Sequence, residues 1–127
     1  MSRLILDSYG WIELFTRGPK CRLFEQKLAS GSEILLPEIV LAEVAAKFHA
    51  VGRGQECRSV VAGMVQKARL VGISEEVADL AGKILSENKK RGMGLADAVI
   101  LAIAVKEGAT VVTGDPHFKG FSNAEVV

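Results

Sequence analysis

The stretch ADAVILAIAV, residues 96–105, is apolar at every position except one, Asp97. Its length and its continuation to Glu107, with Gly108 beyond, predict a helix over 93–107 ended by a glycine cap. A helix without a polar face must be covered on all sides. Such a helix belongs between the layers of a protein and not on its surface. An isolated ionised carboxylate in that setting costs several kcal/mol, so Asp97 must be paired, protonated or close to a cation.

Working outward, the chain alternates short apolar runs with helical patterns. Runs at 3–6, 33–36, 70–73, 110–113 and 125–127 predict strands, with Pro37 breaking the second. Residues 8–15, 19–29, 38–50, 55–68 and 74–88 predict helices. Pro19 and Ser74 are read as helix starts, and Glu75 and Glu76 fill a first turn. Strands separated by helices in this order predict a single α/β domain over residues 1–127, with a mostly parallel central sheet flanked by helices.

The 127 residues are enough for one core, and no linker or repeat divides them. An apolar content of 49% with 24% charged residues describes a globular chain, and no apolar stretch approaches the roughly 18 residues that span a bilayer. Without a basic, apolar leader pattern at the start, the expected location is the cytoplasm. Cys21 and Cys57 lack metal-ligand spacing and are expected as reduced thiols, with a disulfide between them as the alternative. A net charge of +1 gives no global pull toward nucleic acid, so any such binding must be local.

In a parallel sheet of this kind, ligands sit beyond the carboxyl ends of the strands. Asp7 follows the first strand directly, and Asp115 comes two residues after TVVT. Glu43 is the only polar residue between Ile39 and Ala46, and its helical neighbours are those two apolar residues. Each acid has an ordinary structural reading as well. Asp7 can cap the next helix, Asp97 can complement a helix dipole, Asp115 before Pro116 matches an N-cap, and Glu43 can join a buried ion pair. Four such coincidences at one edge are harder to accept than one cluster. With no His or Cys on these stripes, the donor set is all oxygen and suits Mg²⁺ or Mn²⁺.

LILDS (4–8), LPEIVLAEV (36–44), LADAVILAIA (95–104) and VVTGDPHF (111–118) together resemble the PIN-domain ribonucleases, and among them the small VapC-like toxins of toxin–antitoxin pairs. The resemblance covers essentially the whole chain. It implies an endoribonuclease that needs Mg²⁺ or Mn²⁺, a homodimer, and a small antitoxin partner. Its metal-binding acids fall on Asp7, Glu43, Asp97 and Asp115, and its hydroxyl positions on Ser8 and Thr113. Asp7, Asp97 and Glu43 would hold one ion, while Asp115 would act through water, orient the nucleophile or hold a second ion. Where some members carry a further acid, this chain has Pro116, His117 and Phe118. Tyr9 stands where a small polar residue is common and is expected to narrow the cleft.

His117 is read as a solvated turn residue in preference to a general base. Lys89, Lys90 and Arg91, just before the Asp97 helix, are candidates for RNA phosphate contacts or for a solvated helix end. Trp11 and Phe15 look like exposed apolar side chains suited to a partner, with the core as the alternative. Other classes fit less well. The segment DSYG lacks the second Asp of haloacid-dehalogenase-like phosphotransferases, and no phosphate-binding glycine loop occurs. The remaining alternative is a catalytically silent PIN module that binds RNA or protein.

Overall fold

The computed structural model describes residues 2–127. Strands β1 (Arg3–Leu6), β2 (Glu33–Pro37), β3 (Arg69–Val71), β4 (Thr110–Thr113) and β5 (Ala124–Val126) alternate with helices. The helices are α1 (Ser8–Thr16), α2 (Cys21–Leu28), α3 (Glu38–Ala50), α4 (Cys57–Lys67), α5 (Glu75–Glu87) and α6 (Leu95–Glu107). All strand pairs are parallel, in the order β3-β2-β1-β4-β5. The expected α/β architecture is the observed one.

This order follows from burial. The central strands β1, β2 and β4 carry fully buried Ile5, Leu6, Leu35, Leu36, Val111 and Val112, as strands covered on both faces require. The edge strands have three residues each and carry Arg69 and Glu125, which blunts them against pairing with other chains. From β1 the chain winds out one way to β2 and β3, then returns to β4 and β5 on the other side. The crevice at that reversal opens between the carboxyl ends of β1 and β4.

Helix α6 is buried from Ala98 through Ala104 without interruption. It packs against β1, β4, α3 and, most extensively, α5. Gly108 ends it in the left-handed region at φ 62°, a conformation glycine adopts without a Cβ clash. Ser74 caps α5 by accepting the Val77 N–H, as expected.

Several boundaries differ from the sequence reading. Helix α2 begins at Cys21 instead of Pro19, because Gly18 and Cys21 close a turn first. A 3-10 turn at Gly54–Glu56 precedes α4, and α6 begins at Leu95. Pro37 does not end β2 early. It pairs in register with Val71, and its φ of −61° and ψ of 137° suit both the strand end and the entry to α3. Trp11 is fully buried and stacks 6.3 Å from the Phe15 ring, so it belongs to the core. The thiols are free. Cys57 is buried with its Sγ near the Ala45 carbonyl, and Cys21 is half-buried on α2.

At the amino edge of the sheet, Arg3 and Arg69 interleave with Glu33 and Glu107 at 3.0 to 3.9 Å. The basic side chains near the sheet are thus paired at the end opposite Asp7.

Gly10 provides a test of the packing of α1. A Cβ there would lie 2.8 Å from the buried Phe24 ring, whereas one at exposed Gly82 in α5 would meet nothing within 4 Å. Helix propensity alone favours Ala at both by about 1 kcal/mol. Gly82→Ala is therefore expected to raise Tm, and Gly10→Ala to lower it by the overpacking cost of about 1 to 3 kcal/mol. Thermal melts check this, and Phe24→Leu should recover much of the loss in the Gly10→Ala background.

Candidate active site

Leu6 pairs with Val112 across β1 and β4, so Asp7 and Thr113 come level at the carboxyl edge. The Thr113 hydroxyl, fully buried, donates to Asp7 Oδ2 at 2.6 Å and accepts the Asp115 N–H at 2.9 Å. Asp7 Oδ1 accepts the Gly10 N–H at 3.3 Å. Asp7 is therefore the N-cap of α1, and one threonine hydroxyl links it to the segment that carries Asp115. Ser8, buried at the start of α1, lies beside it.

Asp115 in turn caps the 3-10 turn Pro116–Phe118, accepting the His117 N–H at 2.9 Å. The structural readings of Asp7 and Asp115 as caps are thus correct, and they coexist with the clustering. Capping fixes where each carboxylate stands without neutralising it.

Asp97 stands in the first turn of α6, where the Gly94 N–H lies close enough to favour its charged form. Glu43 comes from α3, which packs on both α1 and α6. The buried stripe of α3 is Val40, Val44 and Phe48, and Ala46 is exposed. Glu43 is consequently half-buried on the flank of the helix and not on its core face, contrary to the inward stripe read from Ile39 and Ala46. That placement leaves it on the side facing the other acids.

The electrostatics show one cluster. Burial, opposed by the Thr113 and Gly10 hydrogen bonds and assisted by the charges of Asp115 and Asp97, raises the Asp7 carboxyl to a pKa of about 6. Burial followed by the charges of Asp97, Asp7 and Asp115 raises Glu43, with Lys47 acting against them. Burial and then Asp115 raise Asp97. Among the described residues, no Lys or Arg lies within 4.0 Å of any of these four carboxylates. The tightest grouping is Asp97, Asp115 and His117, whose donor atoms lie within 4.8 Å of one another. Asp7 and Glu43 lie outside that group and join it through charge; two carboxylates and an imidazole so placed fit a divalent cation.

Sequence reasoning missed the position of His117. Its Nδ1 lies 3.1 Å from Asp115 Oδ1, so the ring faces the acids although half of it is exposed. The HF dipeptide after Asp115 was the available signal, since buried Phe118 anchors the turn that aims its neighbour. Lys89, Lys90 and Arg91 form an exposed 3-10 turn. Arg91 is not a free cation: its guanidinium donates to the His117 and Lys119 carbonyls and lies 4.7 Å from the Phe121 ring centroid. Tyr9 packs flat enough on Gly114 that a Cβ there would lie 2.4 Å from the ring. It is thus part of the wall beside Thr113.

Among solved structures, the fold is similar to VapBC2 from Rickettsia felis bound to a promoter DNA fragment. That match has 21% identity over 98% of each chain and a TM-score of 0.79. It is similar to Mycobacterium tuberculosis VapC20, described as a sarcin-ricin loop cleaving toxin, at 17% identity over 94% of this chain and 97% of that one, with a TM-score of 0.77. DNA-bound VapBC from Salmonella typhimurium matches at 20% identity, over 100% of this chain and 98% of that one, with a TM-score of 0.77. No curated protein sequence matches the chain significantly. The PIN domain family model matches residues 4–123, a span that runs from β1 through all four acids to the edge of β5. With that match and the parallel sheet that gathers Asp7, Glu43, Asp97 and Asp115 at its switch point, the chain belongs to the PIN domain family.

Proposed function

We infer that this chain is a metal-dependent endoribonuclease and the toxin of a toxin–antitoxin pair, with Asp7, Glu43, Asp97 and Asp115 as its metal-binding acids. The observation that carries the reading is a cluster of four carboxylates at the sheet switch point with, among the described residues, no Lys or Arg within 4.0 Å of any of them. RNA is a polyanion, so these acids repel it unless a cation stands between them. A divalent ion held there lowers the pKa of a water and offsets charge on the scissile phosphate. Mg²⁺ and Mn²⁺ are the ions suited to carboxylate donors.

The chain's own residues have separable tasks. Thr113 keeps one Asp7 oxygen turned toward the crevice wall and couples it to Asp115. Buried α6 holds Asp97 in place, and half-buried Glu43 approaches from α3. Exposed Lys89 and Lys90 are the candidates for RNA phosphates, whereas Arg91 has its donors engaged by the loop. The toxin reading draws on the VapBC neighbours and brings a small antitoxin as partner; the homodimer rests on the family resemblance of the sequence. An acidic crevice suits an antitoxin segment that presents a basic side chain. Among the described residues, no helix is long and apolar enough to cross a membrane.

Purified protein is expected to cleave RNA with Mg²⁺ or Mn²⁺ and to lose that cleavage in EDTA. Asp97→Asn, with the fold retained by circular dichroism, should slow cleavage by about 100-fold or more, the scale of losing a positioned electrostatic group. Cleavage that persists in EDTA would overturn the metal reading. A chain that binds Mn²⁺ and RNA but cuts no RNA would favour the silent module instead.

The metal-free protein should also respond to pH in a definite direction. Asp7 ionises near 3.8 in the unfolded chain but near about 6 in the fold. Between those values the folded state binds more protons, so this group's contribution to stability falls as pH rises through the window. The difference corresponds to about 3 kcal/mol at most. Glu43 and Asp97 shift in the same direction. In EDTA, Tm should therefore fall between about pH 4.5 and about pH 7, and Asp97→Asn should be at least as stable as wild type at the upper end. Mn²⁺ at a hundredfold excess over Kd should restore about 2.7 kcal/mol to the wild type. A destabilised Asp97→Asn in EDTA, with no Mn²⁺ effect on either melt, would instead make Asp97 a purely structural residue.

A further inference from the structure

We propose that His117 is a direct metal ligand in this crevice, so that the site offers one imidazole nitrogen beside its carboxylates and prefers Mn²⁺ or a similar transition-metal dication to Mg²⁺. The proposal deepens the metal-dependent reading above and rests on it.

The geometry is that of donors arranged around a common point. His117 Nδ1 lies 3.1 Å from Asp115 Oδ1, and one donor atom from each of Asp97, Asp115 and His117 lies within 4.8 Å of the other two. Two donors bound at about 2.1 to 2.2 Å and at right angles are about 3.0 Å apart, and donors on opposite sides of an ion are about 4.3 Å apart. The Asp115–His117 pair thus has the spacing of adjacent coordination positions, and Asp97 needs only a small movement to complete the set.

The imidazole is also placed. On its far side, a Cβ at Gly92 would lie 3.8 Å from His117 Nε2, so the ring sits over that glycine with Nδ1 toward the acids. The backbone N–H of His117 donates to Asp115 Oδ1 at 2.9 Å. Arg91 donates to the carbonyls of His117 and Lys119 and lies over the Phe121 ring, tying His117 and the segment after it to the turn that leads into α6. Asp97 lies in the first turn of that helix. The two segments that supply the three donors are therefore clamped to each other by Arg91.

An imidazole donor changes selectivity. Mg²⁺ binds oxygen and parts with its waters reluctantly, whereas nitrogen ligands favour the later divalent metals. The competing reading of the same geometry is a protonated His117 paired with Asp115, which needs no metal at all.

The test is pulsed electron paramagnetic resonance of Mn²⁺ titrated into the full chain, which detects nitrogen bound directly to the ion. The chain has two histidines, so the assignment needs two variants. The expected result is nitrogen coupling in wild type and in His49→Ala, and its loss in His117→Ala. The Mn²⁺ Kd should weaken about tenfold in His117→Ala, while the Mg²⁺ Kd, read by competition, changes less than about twofold. His117→Gln, which keeps a polar side chain of similar reach, replaces the alanine variant if circular dichroism shows that variant unfolded. Bound Mn²⁺ without nitrogen coupling in wild type, or coupling that survives in His117→Ala, overturns the proposal and leaves the metal reading standing. Failure of wild type to bind Mn²⁺ overturns both.

Discussion

The hydrogen bond from Thr113 to Asp7 joins two residues 106 apart in the chain, at the ends of β4 and β1, and the rest of the site is arranged around it. It can form only if β1 and β4 are parallel neighbours in one particular register. It also keeps a buried carboxylate partly compensated, because its donor lowers a pKa that burial raises. Without that donor, Asp7 would be an acid in the core with one backbone contact. With it, the acid stays available for ionisation near neutral pH, and Asp115 is drawn in through the same hydroxyl.

The charge distribution along the sheet follows the same logic. At the amino edge, Arg3, Glu33, Arg69 and Glu107 satisfy one another, an exposed network of the kind that adds little stability per pair. At the carboxyl edge, carboxylates gather with no Lys or Arg within 4.0 Å among the described residues. A fold that pairs its charges with Arg at one end and leaves them without Lys or Arg at the other carries a local electrostatic strain at that edge, which a bound cation would offset. The near-neutral net charge of the whole chain conceals this polarity.

The parts legible in the sequence were those governed by periodicity and local caps. The continuous apolar run of α6, the strand-to-helix alternation and the Gly108 and Ser74 caps each depend on neighbours a few residues away. The positions of Asp7 and Asp115 followed from strand ends, and those of Glu43 and Asp97 from isolated charges in apolar helices. What escaped was set by contacts distant in sequence. Whether Trp11 is covered depends on its stacking and on α2, and whether His117 faces water or acids depends on a turn that Arg91 holds from 26 residues upstream. Arg91 itself read as one of three equivalent cations, because nothing local distinguishes it from Lys89 and Lys90. The exact stripe of α3 was misread because Ile39 and Ala46 are apolar yet only partly covered, and apolar identity alone does not fix burial.

The uninterrupted burial of α6 has a consequence for how such a protein can change. Seven successive residues, Ala98 to Ala104, are all buried, with no solvent-facing side to absorb a misfit. Six of the seven are alanine, isoleucine or leucine positions at which an added or deleted methylene must be matched elsewhere in the core. Drift in this helix is therefore confined to concerted exchanges, whereas exposed rim positions such as Lys89 and Lys90 can vary one residue at a time. A lineage built on this frame would diversify what it recognises at the rim of the crevice long before it altered the rod that holds Asp97.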